Sequence, residues 1–188
     1  MDRIYEIFKR DYNISDRDWE IFSSKLALYT YPKRHIVLQK GEQENYLSFV
    51  DKGILRYYIP SDDNDLTFDF AFKNNFTSAY SSFITRTAAP YQVEAMTEVN
   101  LWRLTFDDLQ AVYRDTLIGN TIGRHASEQL YMRKARRELS LLNETARQRY
   151  DNLFTAQPEL LQLVPLKHIA SYIGITPQAL SRIRARIS

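Results

Sequence analysis

The stretch from Leu166 to Ala185 constrains the chain most: Leu-Lys-His-Ile-Ala-Ser-Tyr-Ile-Gly-Ile-Thr-Pro-Gln-Ala-Leu-Ser-Arg-Ile-Arg-Ala. Two helices that cross steeply need a small residue where they nearly touch, a glycine to end the first, and apolar residues that lock the pair. Ala170 is the small contact, Gly174 fits the left-handed turn, and Ile169, Ile173, Ile175, Leu180 and Ile183 form the shared core. Thr176 caps the second helix, and Pro177 occupies its first turn, where a missing amide hydrogen costs nothing. This register is a helix-turn-helix signature. A helical hairpin with a purely structural role is the alternative, and the basic free face of the second helix argues against it. That face carries Gln178, Ser181 and Arg182, with Arg184 and Arg186 beyond. Glutamine pairs bidentately with adenine and arginine with guanine in the major groove, while the following arginines suit phosphates. Lys167 and His168 open the first helix, where contacts to the duplex backbone are common.

Upstream the texture changes twice. From about Arg3 to Tyr29, Ile4, Ile7, Phe8, Trp19, Phe22, Leu26 and Leu28 fall at helical spacings, with Ser15 and Asp18 as a capping pair. From Pro32 to Leu104 the runs alternate instead: Ile36/Leu38, Leu47/Phe49, Ile54 to Ile59, Leu66/Phe68/Phe70/Phe72, Tyr91/Val93/Ala95 and Leu101 to Leu104. Gly41, Asp51-Lys52-Gly53, Ser61-Asp62-Asp63-Asn64 and Lys73-Asn74-Asn75 punctuate them as in a sandwich or jelly roll. Thr105 to Asp108 resembles a capped short helix, and a long helical segment follows from Asp115 to about Leu142. Its Ile118, Ile122, Ala126 and Leu130 lie four apart on one face. That stripe suits packing against its own domain or pairing with the same helix of a second subunit. Asn143 to Leu163 reads as a helix broken at Pro158, and Pro165 resets the chain before the final pair. The divisions are 1–114, a β domain with flanking helices; 115–142, the long helix; and 143–188, the helix-turn-helix part.

The 188 residues are 44% hydrophobic and 26% charged with no cysteine, which excludes disorder, thiol catalysis, disulfides and cysteine-held metals. The net charge of +2 conceals an asymmetry: 15 basic and 19 acidic residues up to Met132, then 10 and 4 after it. A basic second part suits a polyanion. Arg133, Lys134, Arg136 and Arg137 belong to that part and read as a solvated helix face that can add to its field. No apolar run is long enough to span a membrane, and the amino terminus lacks a secretory h-region, so a cytoplasmic, non-membrane protein is expected. His35, His125 and His168 show no metal-ligand spacing, and Ser78, Ser81 and Ser82 lack a nucleophile elbow. No metal, cofactor or catalytic activity is expected, haem on His125 being the one option left over. Phe68, Phe70 and Phe72 with Tyr80 to Phe83 either fill the β domain or line an apolar pocket.

The leading helices, the glycine pattern Gly41-x5-Leu47-x-Phe49-Val50-x-x-Gly53, the long helix and the terminal helix-turn-helix resemble, over nearly the whole chain, the Crp/Fnr family of transcription regulators. The resemblance implies an α+β fold: an N-terminal jelly-roll β-roll like that of cyclic-nucleotide-binding domains, a long dimerisation helix and a C-terminal all-α helix-turn-helix domain. It further implies a homodimer on double-stranded DNA, with half-sites about one helical turn apart, that contacts RNA polymerase. For the stripe at Ile118, Ile122, Ala126 and Leu130 it implies the subunit pairing.

Three departures qualify it. Cyclic-nucleotide-binding members carry a Gly-Glu pair for the ribose and an Arg-Ser/Thr pair for the phosphate. Counted back from Val93-Glu94-Ala95, those positions fall on Ser78-Ala79 and Ala89-Pro90, with Arg86 and Glu94 out of register. Met132 and Arg133 stand where the cyclic-AMP responder has a hydroxyl pair. Cyclic AMP is therefore not the expected effector; an unknown small molecule remains open, and the absence of cysteine excludes the oxygen-sensing cluster of another branch. Many members also continue into a β-hairpin wing, whereas this sequence ends at Ser188 and is expected to lack one. Its phosphate contacts then fall to Arg184, Arg186 and the first helix, and binding should depend steeply on salt. The competing reading is a non-DNA sensor or interaction module whose β-roll binds a small ligand.

Overall fold

The structure is a computed structural model that describes residues 1–186; Ile187 and Ser188, included above in the helix-turn-helix part, lie outside the described residues. Two helices lead, α1 (Asp2–Tyr12) and α2 (Asp16–Ser23). Asn13, at a left-handed φ of 51°, ends α1, and the Ser15 hydroxyl accepts the Asp18 amide to start α2. The helical reading to Tyr29 is corrected from there. Ala27–Tyr31 is strand β1, because its Leu-Tyr-Thr-Tyr run suits a pleated surface and pairs along its whole length with Val99 to Arg103 of β8. Asp18 also does something other than complete a cap. Its buried carboxylate accepts the amides of Leu117 and Ile118 at 3.0 and 3.1 Å, at the entrance to the long helix, where negative charge is favourable.

The strands β2 (Ile36–Leu38), β3 (Tyr46–Lys52), β4 (Leu55–Ile59), β5 (Leu66–Ala71), β6 (Phe76–Thr77), β7 (Gln92–Ala95) and β8 (Val99–Thr105) complete the β-roll, with α3 (Tyr80–Thr85) between β6 and β7. They form two antiparallel four-stranded sheets, ordered β1-β8-β3-β6 and β2-β7-β4-β5. Leu38, Val50, Leu55, Tyr57, Val93 and Leu101 fill the space between them. The turn at Gly53 admits no other residue: its φ is +90°, and a Cβ there would lie 2.3 Å from the Glu98 carbonyl oxygen.

One irregularity decides which way the phenylalanines point. In the β4–β5 ladder Tyr57 faces Asp69 but Tyr58 faces Thr67, so Phe68 is the extra residue of a bulge. The period of two breaks there. Phe68 turns inward against Tyr57 and Tyr91, whereas Phe70 and Phe72 turn outward and join the core of the C-terminal helices. The expectation that Phe68, Phe70 and Phe72 together fill the β domain or line a pocket holds for Phe68 and is corrected for Phe70 and Phe72.

After α4 (Phe106–Asp115), the long helix α5 (Gly119–Asn143) begins later than Asp115. The Thr116 hydroxyl makes a separate turn by donating to Val112 O and accepting the Gly119 amide. Then come α6 (Ala146–Ala156), α7 (Pro158–Leu163), α8 (Leu166–Tyr172) and α9 (Pro177–Ala185). These helices pack on the outer face of the roll: Tyr150, Leu153, Leu160, Val164, Ile169 and Leu180 share one core with Ile54, Phe70 and Met96. Among the described residues, no helix is long and apolar enough to cross a membrane.

Candidate functional site

Helices α8 and α9 realise the motif residue by residue. Ala170 is fully buried, Gly174 has a φ of +77°, and the Thr176 hydroxyl accepts the Ala179 amide at 3.2 Å with Pro177 in the first turn. Ile169, Ile173 and Leu180 are buried, with Ile175 and Ile183 packed around them. This core leaves Thr176, Gln178, Ser181, Arg182, Arg184 and Arg186 exposed along α9, and Lys167 exposed at the start of α8. The Ser181 hydroxyl donates to Pro177 O within the helix.

His168 sits apart from that surface. It is half-buried, and burial pushes its imidazole down to about 4, with Arg56 and Lys167 adding to the effect and Asp65 opposing it. The ring is thus neutral at pH 7 and belongs to the contact with the roll. Beneath it Arg56 is an almost fully buried cation on β4. Its Nε donates to Thr67 Oγ1 at 2.8 Å, Nη2 to Asp65 at 3.0 Å and Nη1 to Glu94 at 3.4 Å, and the guanidinium lies 3.9 Å from the Tyr58 ring centre. Sequence reasoning missed Arg56, although an arginine inside the apolar run Ile54 to Ile59 is itself a signal that a partner set must exist.

The basic cluster of α5 divides in two. Lys134 pairs with Asp69 of β5, and Arg137 donates to the Tyr172 carbonyl of α8, so both tie the long helix to neighbouring elements of the chain. Arg133 and Arg136 stay exposed and line an open groove of about 940 Å³ between α5, the N-terminal helices and the mouth of the roll. Ser78, Tyr57, Phe68 and Tyr91 also line it.

The four degenerate positions sort by burial. Ala79 and Ala89 are buried in the roll core, Pro90 is exposed, and the Ser78 hydroxyl donates to Tyr46 O. Neither nearby charge faces inward in their place. Arg86 turns outward, donating to the carbonyls of Glu44 and Phe83 and to the Asn45 side chain, and Glu94 serves Arg56 on the opposite face of the sheet. His125 packs on the Tyr12 ring.

Of the stripe on α5, Ile118 and Ile122 pack against the cluster of Ile4, Phe8, Phe22 and Leu109, and Ala126 and Leu130 line the groove. Ala126 is exposed as well, but the large apolar side chains that α5 leaves exposed are others: Tyr131, Met132, Leu139, Leu141 and Leu142. Met132 and Leu139 are one heptad apart, as are Ala135 and Leu142, which is the repeat of a coiled-coil seam.

Comparison with known proteins places this geometry. Residues 28–116 match the cyclic nucleotide-binding domain. No curated protein matches the chain in sequence. Among solved structures it is similar to FixK2 from Bradyrhizobium japonicum, at 15% identity and a TM-score of 0.73 over 86% of this chain and 84% of that one. It is similar to the c-di-GMP responsive global regulator CLP of Xanthomonas campestris, at 18% identity and a TM-score of 0.71 over 92% and 91%. A putative transcriptional regulator of the Crp/Fnr family from Eubacterium rectale gives 14% identity and a TM-score of 0.68 over 93% and 84%.

Proposed function

We propose that this chain, which carries a cyclic nucleotide-binding domain in the fold of the Crp/Fnr transcription regulators, is itself a sequence-specific DNA-binding regulator. In this reading it is cytoplasmic, binds a two-fold symmetric site as a homodimer, contacts RNA polymerase, and does not respond to cyclic AMP. The observation that carries it is the exposed face of α9, where Gln178, Ser181 and Arg182 stand on a helix whose other side is fixed by the buried Leu180 and whose start is set by Thr176 and Pro177. An element so held presents base-reading side chains at little further entropic cost.

The dimer reading rests on the exposed Met132, Leu139 and Leu142 of α5, which suit pairing with a second copy. The cyclic-AMP reading rests on the roll interior. A buried phosphate needs a cation or amide donors; Ala79 and Ala89 supply no charge, and Lys134 at the mouth is already paired with Asp69.

Arg182→Ala should lose about 1–3 kcal/mol of discrimination at one base pair. Lys167→Ala should weaken binding to all duplexes alike and flatten the salt dependence by about one charge. Competition titrations on selected and random duplexes separate the two effects. If both variants lose equally on specific and random DNA, α9 is not reading bases and the proposal falls.

A further inference from the structure

The C-terminal end of α8 is held by three different elements through three consecutive residues. Ser171 Oγ accepts the amide of Thr67 and donates to the carbonyl of Asp65, each at 2.8 Å. One hydroxyl therefore does the work of a strand partner on β5, which lies at the end of its sheet. The Tyr172 carbonyl accepts from Arg137 of α5, whose guanidinium lies 3.8 Å from the Tyr172 ring centre. The Ile173 carbonyl accepts from Arg149 Nε of α6 at 2.8 Å, and Nη1 of the same guanidinium donates to the Glu144 carbonyl in the turn joining α5 to α6. Both cations meet carbonyls at a helix C-terminus, where positive charge is stabilising. The next residue is Gly174, the left-handed turn that leads into α9.

We propose that Ser171-Tyr172-Ile173 is the junction that fixes the recognition helix relative to both the roll and the long helix. Ser171, Arg137 and Arg149 are then positioning residues that set the distance between half-sites. The inference rests on the DNA reading above. In a two-fold dimer any rotation of the packed α8–α9 pair relative to α5 and the roll shifts the two reading heads with respect to each other. A stiff junction therefore gives a narrow preference for half-site spacing, and a loosened one trades affinity at the best spacing for tolerance elsewhere.

The experiment uses the full chain and a duplex selected from a random pool, rebuilt as a series in which the half-sites move apart or together by single base pairs, with one single half-site duplex. The wild-type protein should show a sharp optimum. Ser171→Ala and Arg137→Gln should each lower affinity at that optimum by about tenfold and flatten the profile, while single half-site affinity stays within about twofold. Arg137→Lys, which keeps a cation but cannot lie flat on the ring, should fall between. An unchanged spacing profile in the variants overturns the inference and leaves the DNA reading standing. So does a loss on the single half-site as large as on the paired site, which would mark the junction as merely structural. A wild-type chain that selects no duplex overturns the DNA reading and the inference with it.

Discussion

Leu139→Glu should convert the protein from dimer to monomer and lower its affinity for a two-fold DNA site by about 10²–10⁴-fold, the usual advantage of linking two binding modules. Leu139 is exposed on α5 and does not belong to the groove facing the roll, so the substitution leaves the packing within one chain alone. Placed one heptad from Met132 and next in the seam to Leu142, a carboxylate there would have to be desolvated against its own symmetry mate. Single half-site affinity should not change. Sedimentation and duplex titration read the two effects, and Ile122→Glu is the control. Ile122 packs with the N-terminal cluster, so its replacement should lower the unfolding midpoint while leaving folded protein dimeric. A Leu139→Glu protein that stays dimeric, beside an Ile122→Glu protein that is folded and monomeric, would return the seam to the stripe of Ile118, Ile122, Ala126 and Leu130.

Arg56→Met should cost about 3 kcal/mol of stability, the lower end of what removal of one partner from a buried ion pair costs. The methionine keeps the bulk of the stem but abandons Asp65, Glu94 and Thr67 at once, and takes from both carboxylates the guanidinium they share. Asp65 and Glu94 retain some access to water, which keeps the effect from the upper end. The loss should be smaller for Glu94→Gln, because Arg56 then keeps Asp65 and Thr67. Urea midpoints at constant slope give the comparison. A cost below about 1 kcal/mol for Arg56→Met would mean that the cluster behaves like an exposed ion pair.

These two sites also show where the sequence was readable. Helices α8 and α9 were legible because each constraint is local: a small residue at 170, a glycine at 174 with φ of +77°, a cap at 176 and a proline behind it. The strands were legible for the same reason, since alternation and turn residues are set within a few positions. Strand β1 was not, because its helical-looking spacing is overruled by pairing with β8, which lies far away in the sequence. The orientation of Phe70 was hidden by a single-residue bulge at Phe68, which reverses every side chain after it. Arg149 and Ser171 could not be assigned at all, since the carbonyl groups that hold them belong to elements that meet only in the folded chain. The basic run on α5 is a solvated face at Arg133, Lys134 and Arg136, but pairing within the chain was not legible in it: Lys134 meets Asp69, and the half-buried Arg137 meets the Tyr172 carbonyl.

The most direct test of the central claim is selection of bound fragments from a pool of random duplexes by the purified 188-residue chain at physiological salt, with no added nucleotide. A sequence-reading dimer should enrich a two-fold motif with half-sites about one helical turn apart, and cyclic AMP should change neither the motif nor the yield. A pool that remains random after repeated rounds, or one enriched equally by a variant carrying Gln178→Ala and Arg182→Ala together, would contradict it.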